Sequence, residues 1–479
     1  MNTFIRTFSL TTATAALAAC AVGPDYVRPS APTPVAFKEA PQGWLAAQPG
    51  DGASRGAWWS VYGDKDLDAL VAQVAVNNQN LKAYEAAYRQ ATAVVAEARS
   101  GYSPTVALSP AASRQRSSST TGSATTRSSR SVELSGSWEP DLWGKVRRQV
   151  ESDKAAAQAS AAELADLTLS AQAELVSDYM ELRYQDSLAQ LLDETTKAYE
   201  RSLTITQNQY TAGTVSRADV ITAQTQLATA RASAIATGQL RAQYEHAIAL
   251  LVGKPPSELS IAVRPLEITL PDVPGMVPST LLQRRPDIAE AERTMQQQNA
   301  LIGVAQAAWY PTLSLTGQAG YSGLGKLFSA SNAIWSLAAS ASETLIDGGA
   351  RSAQVTAARA AYDQSVANYR QTVLAAFQDV EDELSSIRVL GNQAVAQDDA
   401  LRLARQAETV ARNEYQAGTV DYTTVVTAQA TALSNAQASL QVRRDRLLAS
   451  ASLIRALGGG WTDSDLPLAD AKPRDSAQP

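Results

Sequence analysis

The sequence predicts an α+β protein built as a tandem repeat, each half carrying long helices and one β-hairpin. Three observations lead there. Residues 145–212 form a run of 68 with no Gly and no Pro, bounded by Gly144 and Gly213. Its Ala, Leu, Gln and Glu are strong helix formers, and an unbroken helix of that length is about 100 Å long. A second such run covers 350–417, interrupted only by Gly391. Ahead of each rod, apolar and polar residues alternate with the period of a half-buried strand.

Bulk composition narrows the function. A formal charge of −6 over 479 residues argues against a nucleic-acid partner. The single cysteine, Cys20, and single histidine, His246, exclude an intrachain disulfide and a Cys/His metal cluster. His246 lies in the helical LRAQYEHAIALL and reads as an ordinary helix residue. No Gly-rich phosphate loop and no Gly-x-Ser-x-Gly elbow occurs, so no enzyme is expected. No run of 18 apolar residues marks a membrane helix, but β-barrel strands leave a much weaker signal.

Taken in order, residues 1–19 read as a lipoprotein signal peptide: Arg6 starts it, and Leu17-Ala18-Ala19-Cys20 resembles a bacterial lipobox. Cys20 is then the lipidation site, carrying S-diacylglycerol and N-palmitoyl groups. Ala21, rather than Asp, implies sorting to the outer membrane. Residues 20–65 are rich in Pro, Gly and Trp and read as an N-terminal arm and equatorial segment.

The first repeat spans 66–252. A helix over 66–100 leads to a hairpin over 102–143, with Val106 and Leu108 on one strand and Val132–Glu139 on the other. A polar loop of Ser, Thr and Arg is expected between them, from Arg114 to Ser131. Strands of about 10–13 residues suffice to cross a bilayer when tilted. The long helix 145–212, a turn at Gly213 and a helix over 216–252 complete the half. Prolines break 253–277 into a linker with short strands. The second repeat, 278–457, has a helix, a hairpin over 309–346, the long helix 350–417 and a helix over 420–457. Residues 458–479 are a C-terminal equatorial segment and tail.

The duplication can be counted. YTAGTVSRADVITAQ (210–224) and YQAGTVDYTTVVTAQ (415–429) agree at 9 of 15 positions, 205 residues apart. Four strands per chain cannot close a barrel, and open edges are not tolerated in lipid. The chain must therefore oligomerise, and three copies give twelve strands under cyclic symmetry. Each rod is flanked by two helices of roughly 50–57 Å, which stacked end to end match it.

Cys20 followed by AVGPDYVRP, the Arg284-Arg285-Pro286-Asp287-Ile288 element, the paired Tyr-x-Ala-Gly-Thr-Val turns and the twofold repeat together resemble the TolC-like outer-membrane factor family. The match is strongest to its NodT/OprM-type efflux lipoproteins. The resemblance implies a homotrimer with a 12-stranded β-barrel in the outer membrane of a Gram-negative bacterium and a 12-helix periplasmic α-barrel. It implies the exit duct of a tripartite efflux pump. The partners would be a periplasmic adaptor and an inner-membrane pump of the resistance-nodulation-division type, the cargo drugs or other small amphiphiles. No cofactor is expected beyond the lipid on Cys20. Two alternatives remain open: the exit duct of a type I protein or peptide secretion system, and a structural envelope lipoprotein without a pore.

The family's periplasmic tips form its closed entrance. The tip residues here are Tyr210, Gly213 and Asp219 in the first repeat and Tyr415, Gly418 and Asp421 in the second. Tyr415 and Asp219 match gate positions of the family. Thr424 and Thr427 stand where the family carries aspartates, and Asp421 could supply charge nearby. Asp219 also reads as a helix cap. Asp219→Ala or Tyr415→Phe is expected to loosen the entrance. The Arg284–Ile288 element reads as structural, with Pro286 first in its helix and Asp287 in the first turn.

Overall fold

A computed structural model describes residues 21–40, 57–118, 124–271, 284–323 and 327–461. The signal peptide, Cys20 and the tail beyond residue 461 lie outside the described residues. Eleven elements carry the fold: α1 (Lys65–Asn77), α2 (Gln79–Ser100), β1 (Thr105–Ser118), β2 (Ala124–Trp138), α3 (Lys145–Thr211), α4 (Arg217–Leu251), α5 (Pro286–Ala307), β3 (Thr312–Gly323), β4 (Ala333–Ser342), α6 (Ala350–Gln416) and α7 (Tyr422–Ala456).

Both rods are unbroken, at 67 residues each. Each begins where a left-handed glycine turns the chain out of its strand, Gly144 at φ 80° and Gly349 at φ 93°. A carboxylate just upstream caps each start. Asp141 accepts from the Val146 and Arg147 amides at 3.1 and 2.8 Å, and Asp347 from the Gly349 and Arg351 amides at 3.0 and 3.1 Å. The upper part of α3 buries small residues, Ala155, Ala159 and Ala162, which let α2 and α5 approach closely.

The sequence reads 66–100 as one helix, but the chain breaks at Asn78 (φ −61°, ψ 123°). Its side-chain oxygen accepts from the Asn80 and Leu81 amides at 2.9 and 3.2 Å, the geometry of a strong N-cap. Its amide donates to Leu251 O at 2.9 Å, pinning the break to the end of α4. The break lets α1 bury Leu67, Val71 and Val74 in a core with Trp58, Leu175, Met180 and Leu266. The arm over 21–40 lies along α5 and α6, with Phe37 edge-on to Phe377 at 6.4 Å.

The four strands form one antiparallel sheet in the order β1-β2-β3-β4, with β1 and β4 at its edges. The polar segment read as a loop from Arg114 to Ser131 is mostly strand. Register runs without a bulge from Thr105↔Ser137 to Ser118↔Ala124. Backbone pairing needs no apolar side chain, and Ser and Thr can bond across it: the Ser113 and Ser129 hydroxyls meet at 2.7 Å.

The sheet has two faces. Val106, Leu108, Val132, Leu134, Leu315, Ala319, Trp335 and Leu337 share one through their pairings; Ser109, Ser131, Glu133, Gln318, Ser336 and Ser340 share the other. Trp335 and Leu337 are 78% and 80% exposed, an apolar surface with no protein cover in the protomer. Among the described residues no helix is long and apolar enough to cross a membrane.

The chain from Val22 to Asp25 is fixed at the foot of this sheet. The Val22 amide donates to Trp143 O at 3.0 Å, and Arg148 donates to Val22 O, Gly23 O and Asp25 at 3.2, 3.2 and 2.8 Å. Gly23 (φ +104°) passes so close to α5 that a Cβ would sit 2.4 Å from Gly303 Cα. A side chain at Gly303 would in turn meet Val22 O and Arg148. Gly303→Val is expected to cost roughly 1–3 kcal/mol by overpacking and to release the arm. Faster proteolysis within 21–40 is the readout; an unchanged cleavage rate would refute the clamp.

The Arg284–Ile288 element is a structural tie. Pro286 opens α5, and Arg285 donates to Asp287 at 3.0 and 2.7 Å, to Asp379 of α6 at 3.0 Å and to Ala456 O of α7 at 3.2 Å.

Two helix carboxylates face others of the same charge. Burial, with Glu163, Asp166 and Asp287 adding to it, pushes Glu290 up to about 7. Burial, with Glu174 and Glu181, does the same to Asp178, also to about 7. Folded-state values above the ordinary carboxylate range mean the fold holds extra protons between about 4 and 7, so stability declines as pH rises through that window. The apparent Tm is expected to be higher at pH 5.5 than at pH 8, with Glu290→Gln flattening the difference. An equal Tm at both values would count against this.

Candidate channel entrance

The two helix–turn–helix tips are built alike. In the first, the Gly213 amide donates to Tyr210 O and the Thr214 amide to Gln209 O, both at 3.0 Å. In the second, Gly418 donates to Tyr415 O and Thr419 to Glu414 O at the same distance. This is the Schellman pattern, with glycine at the left-handed position (φ 77° and 74°). The repeated Ala-Gly-Thr-Val is thus explained by backbone geometry.

Both tip carboxylates are engaged in capping. Asp219 forms a capping box with Ser216: its oxygen accepts from the Ser216 amide at 2.9 Å and the Ser216 hydroxyl accepts from the Asp219 amide at 3.3 Å. Asp421 caps α7 and accepts from the Thr424 amide and hydroxyl at 3.0 and 2.9 Å, which hold its carboxyl below the usual range. Asp421 is exposed and Asp219 half-buried.

The tyrosines differ. Tyr210 is 47% exposed and Tyr415 only 7%. Tyr415 packs on Tyr422 with ring centroids 5.4 Å apart, in a cluster with Ala223 of α4 and Val425 of α7. Among the described residues neither hydroxyl has a hydrogen-bond partner. The neighbouring Thr206 hydroxyl is committed to Ser202 O at 3.0 Å. Burial raises both phenols, Tyr422 to about 12. The ring of Tyr415, rather than its hydroxyl, therefore holds the two hairpins together within the protomer. Tyr415→Phe removes no bond there.

Above this cluster lies a polar tie absent from the sequence reading. Gln226 of α4 donates to Gln429 of α7 at 3.3 Å, and Gln429 donates to the Ser202 hydroxyl of α3 at 3.3 Å. Gln429 is 3% exposed. It closes the repeated 15-residue motif, and that was the available signal. Tyr422 and Gln226 have no such mark in the sequence. Among the described residues no group of three His, Cys, Asp or Glu side chains could hold a metal.

The model of the outer membrane efflux protein family matches residues 70–254 and 277–459, one match per repeat. The chain belongs to that family. It is 31% identical over 463 residues to the toluene efflux pump outer membrane protein TtgC of Pseudomonas putida, covering 93% of each chain. To the cation efflux system protein CusC of Escherichia coli it is 30% identical, covering 93% of this chain and 97% of the relative. The solved outer-membrane channel OprN superposes with a TM-score of 0.86 at 28% identity over 92% of this chain and all of the other. As an outer membrane efflux protein, this chain has the TolC-like channel fold and works in efflux. Its relatives are outer-membrane proteins of Gram-negative bacteria.

Proposed function

We propose that this outer membrane efflux protein acts as a homotrimeric, lipid-anchored exit duct. It would receive drugs or other small amphiphiles from an inner-membrane pump of the resistance-nodulation-division type through a periplasmic adaptor. The observation that carries the trimer is the sheet: four strands, one apolar face, and two free edges at β1 and β4. Such a sheet is stable in lipid only when its edges are paired with other copies. Twelve strands from three chains close it, with the serine-rich face lining the lumen. The rods then continue the wall into the periplasm, and their tips form the entrance, with Tyr210, Gly213, Asp219, Tyr415, Gly418 and Asp421 around it.

The lipid anchor is supported by the clamp on residues 22–25. Val22 is held beside Trp143 and Arg148 near the base of the strands, and an acyl chain on Cys20, two residues earlier, would enter the inner leaflet there. Each buried CH₂ of such a chain adds about 0.8 kcal/mol of membrane affinity.

Crosslinking in intact cells, affinity capture and mass spectrometry test the partners. Recovery of an adaptor with a proton-driven pump is the expected result. Recovery of an ATP-driven exporter would replace this reading with secretion. Recovery of envelope proteins alone, together with liposomes that do not swell in small solutes, would refute the duct.

A further inference from the structure

The far end of the β1–β2 hairpin carries a cluster of positive charge. Arg114, Arg116, Arg127 and Arg130 stand there, and residues 109–132 contain no Asp and no Glu. All four arginines are exposed. None forms an ion pair or side-chain hydrogen bond with another of the described residues.

Register sorts them between the faces. Arg130 lies opposite Ala112, Arg114 opposite Ser128 and Arg116 opposite Thr126, so these three share the face of Val106, Leu108 and Leu134. Arg127, opposite Gln115, belongs to the serine-rich face. Arg130 also pairs with Gly323, the last residue of β3, so the hairpin rises beyond its neighbour from that row outward. Beside the same row, Tyr321 and Phe328 meet edge to face at 5.4 Å.

Depth agrees with this order. From Trp138 to Arg130 the strand advances about 27 Å, or about 20 Å along the membrane normal at a tilt of ~40°. The Arg116 row is about 30 Å deep by the same measure. An outer-membrane apolar band is about 25 Å tall, so the three arginines bracket its outer rim. Along one face the chain runs from aliphatic to aromatic to arginine, the sequence of hydrocarbon, interface and headgroup.

We infer that Arg114, Arg116 and Arg130 form a site for the phosphate groups of anionic lipids in the outer leaflet around the barrel. The guanidinium fork matches phosphate oxygens in pairs. A soluble phosphate would have no reason to select the face that continues the apolar band. The inference rests on reading the sheet as a membrane barrel.

The test compares the full-length protein with its R114S/R116S/R130S variant. Serine suits these strands, which are already serine-rich. Both are purified from the outer membrane and titrated in detergent with bis-phosphorylated lipid A, followed by native mass spectrometry. The variant's affinity is expected to fall at least about tenfold, R127S to leave it unchanged, and dephosphorylated lipid A to bind wild type as weakly as the variant. Equal binding by variant and wild type would overturn the site, as would an equal loss in R127S or no dependence on the phosphates. Liposome swelling by wild type is measured separately: failure there refutes the barrel and this site with it, whereas swelling without phosphate-dependent binding refutes the site alone.

Discussion

Asp186→Leu is expected to destabilise the protein by about 3–5 kcal/mol, the usual cost of stripping a buried charge of its partner. The Asp186 and Arg183 side chains are each 1% exposed. The Asp186 carboxylate accepts from Arg183 at 3.0 Å, Arg241 at 2.7 Å and the Arg264 amide at 3.1 Å. Arg183 also donates to Ala262 O at 2.6 Å and to the Tyr179 hydroxyl at 2.9 Å, and that hydroxyl donates to Asp64, the N-cap of α1, at 2.8 Å. One carboxylate thus ties α3 and α4 to the equatorial linker, and through Arg183 and Tyr179 to α1.

Removing it leaves two guanidinium groups beside each other, one of them sealed from water. Asp66 stands 3.9 Å from Arg183 and Glu245 3.2 Å from Arg241, but Arg183 Nε already has no hydrogen-bond partner among the described residues. Thermal unfolding should show a drop of several degrees. The double variant R183M/D186L should recover part of the loss, because an apolar pair no longer strands a charge. An apparent Tm within a degree of wild type in the single variant would show that the cluster is not needed.

Tyr415→Ala is expected to have the largest effect on conduction. It deletes the ring that joins the two hairpins at the tip and leaves a cavity against Tyr422 and Val425. Truncating a buried aromatic costs about 3–5 kcal/mol. If roughly half of that is lost when the tips part, the open population rises about tenfold to seventyfold. Single-channel recordings in planar bilayers should show longer and more frequent openings. Tyr415→Phe should stay near wild type, since the hydroxyl has no hydrogen-bond partner among the described residues. Asp219→Ala should act more weakly, because it removes a cap worth about 1 kcal/mol. Wild-type closed-state leak in Tyr415→Ala would refute the role given to the ring. A leak in Tyr415→Phe as large as in Tyr415→Ala would restore the role to the hydroxyl.

What could be read in advance follows from the range of each interaction. The rods were legible because a run of 68 residues without Gly or Pro is a local property, and so were the turns, whose glycines answer to backbone dihedrals. The apolar face of the sheet was legible because alternation is set by the pleat. Only the tertiary structure showed that β2 pairs with β3, joining the two hairpins, since register between distant strands leaves no local mark. Only it carried strand through 114–118 and 124–131, where cross-strand pairing outweighs the polar composition that suggests a loop. The break at Asn78 likewise depends on Leu251, 173 residues away. At the tips, the family resemblance picked out Asp219 and Tyr415, and Asp219 also read as a helix cap. Their surroundings decide what they do: the carboxylate is spent on a helix end, and the phenol contributes its ring. Periodicity and turn chemistry are written along the chain, whereas which side chains are sealed together depends on segments that only folding brings into contact.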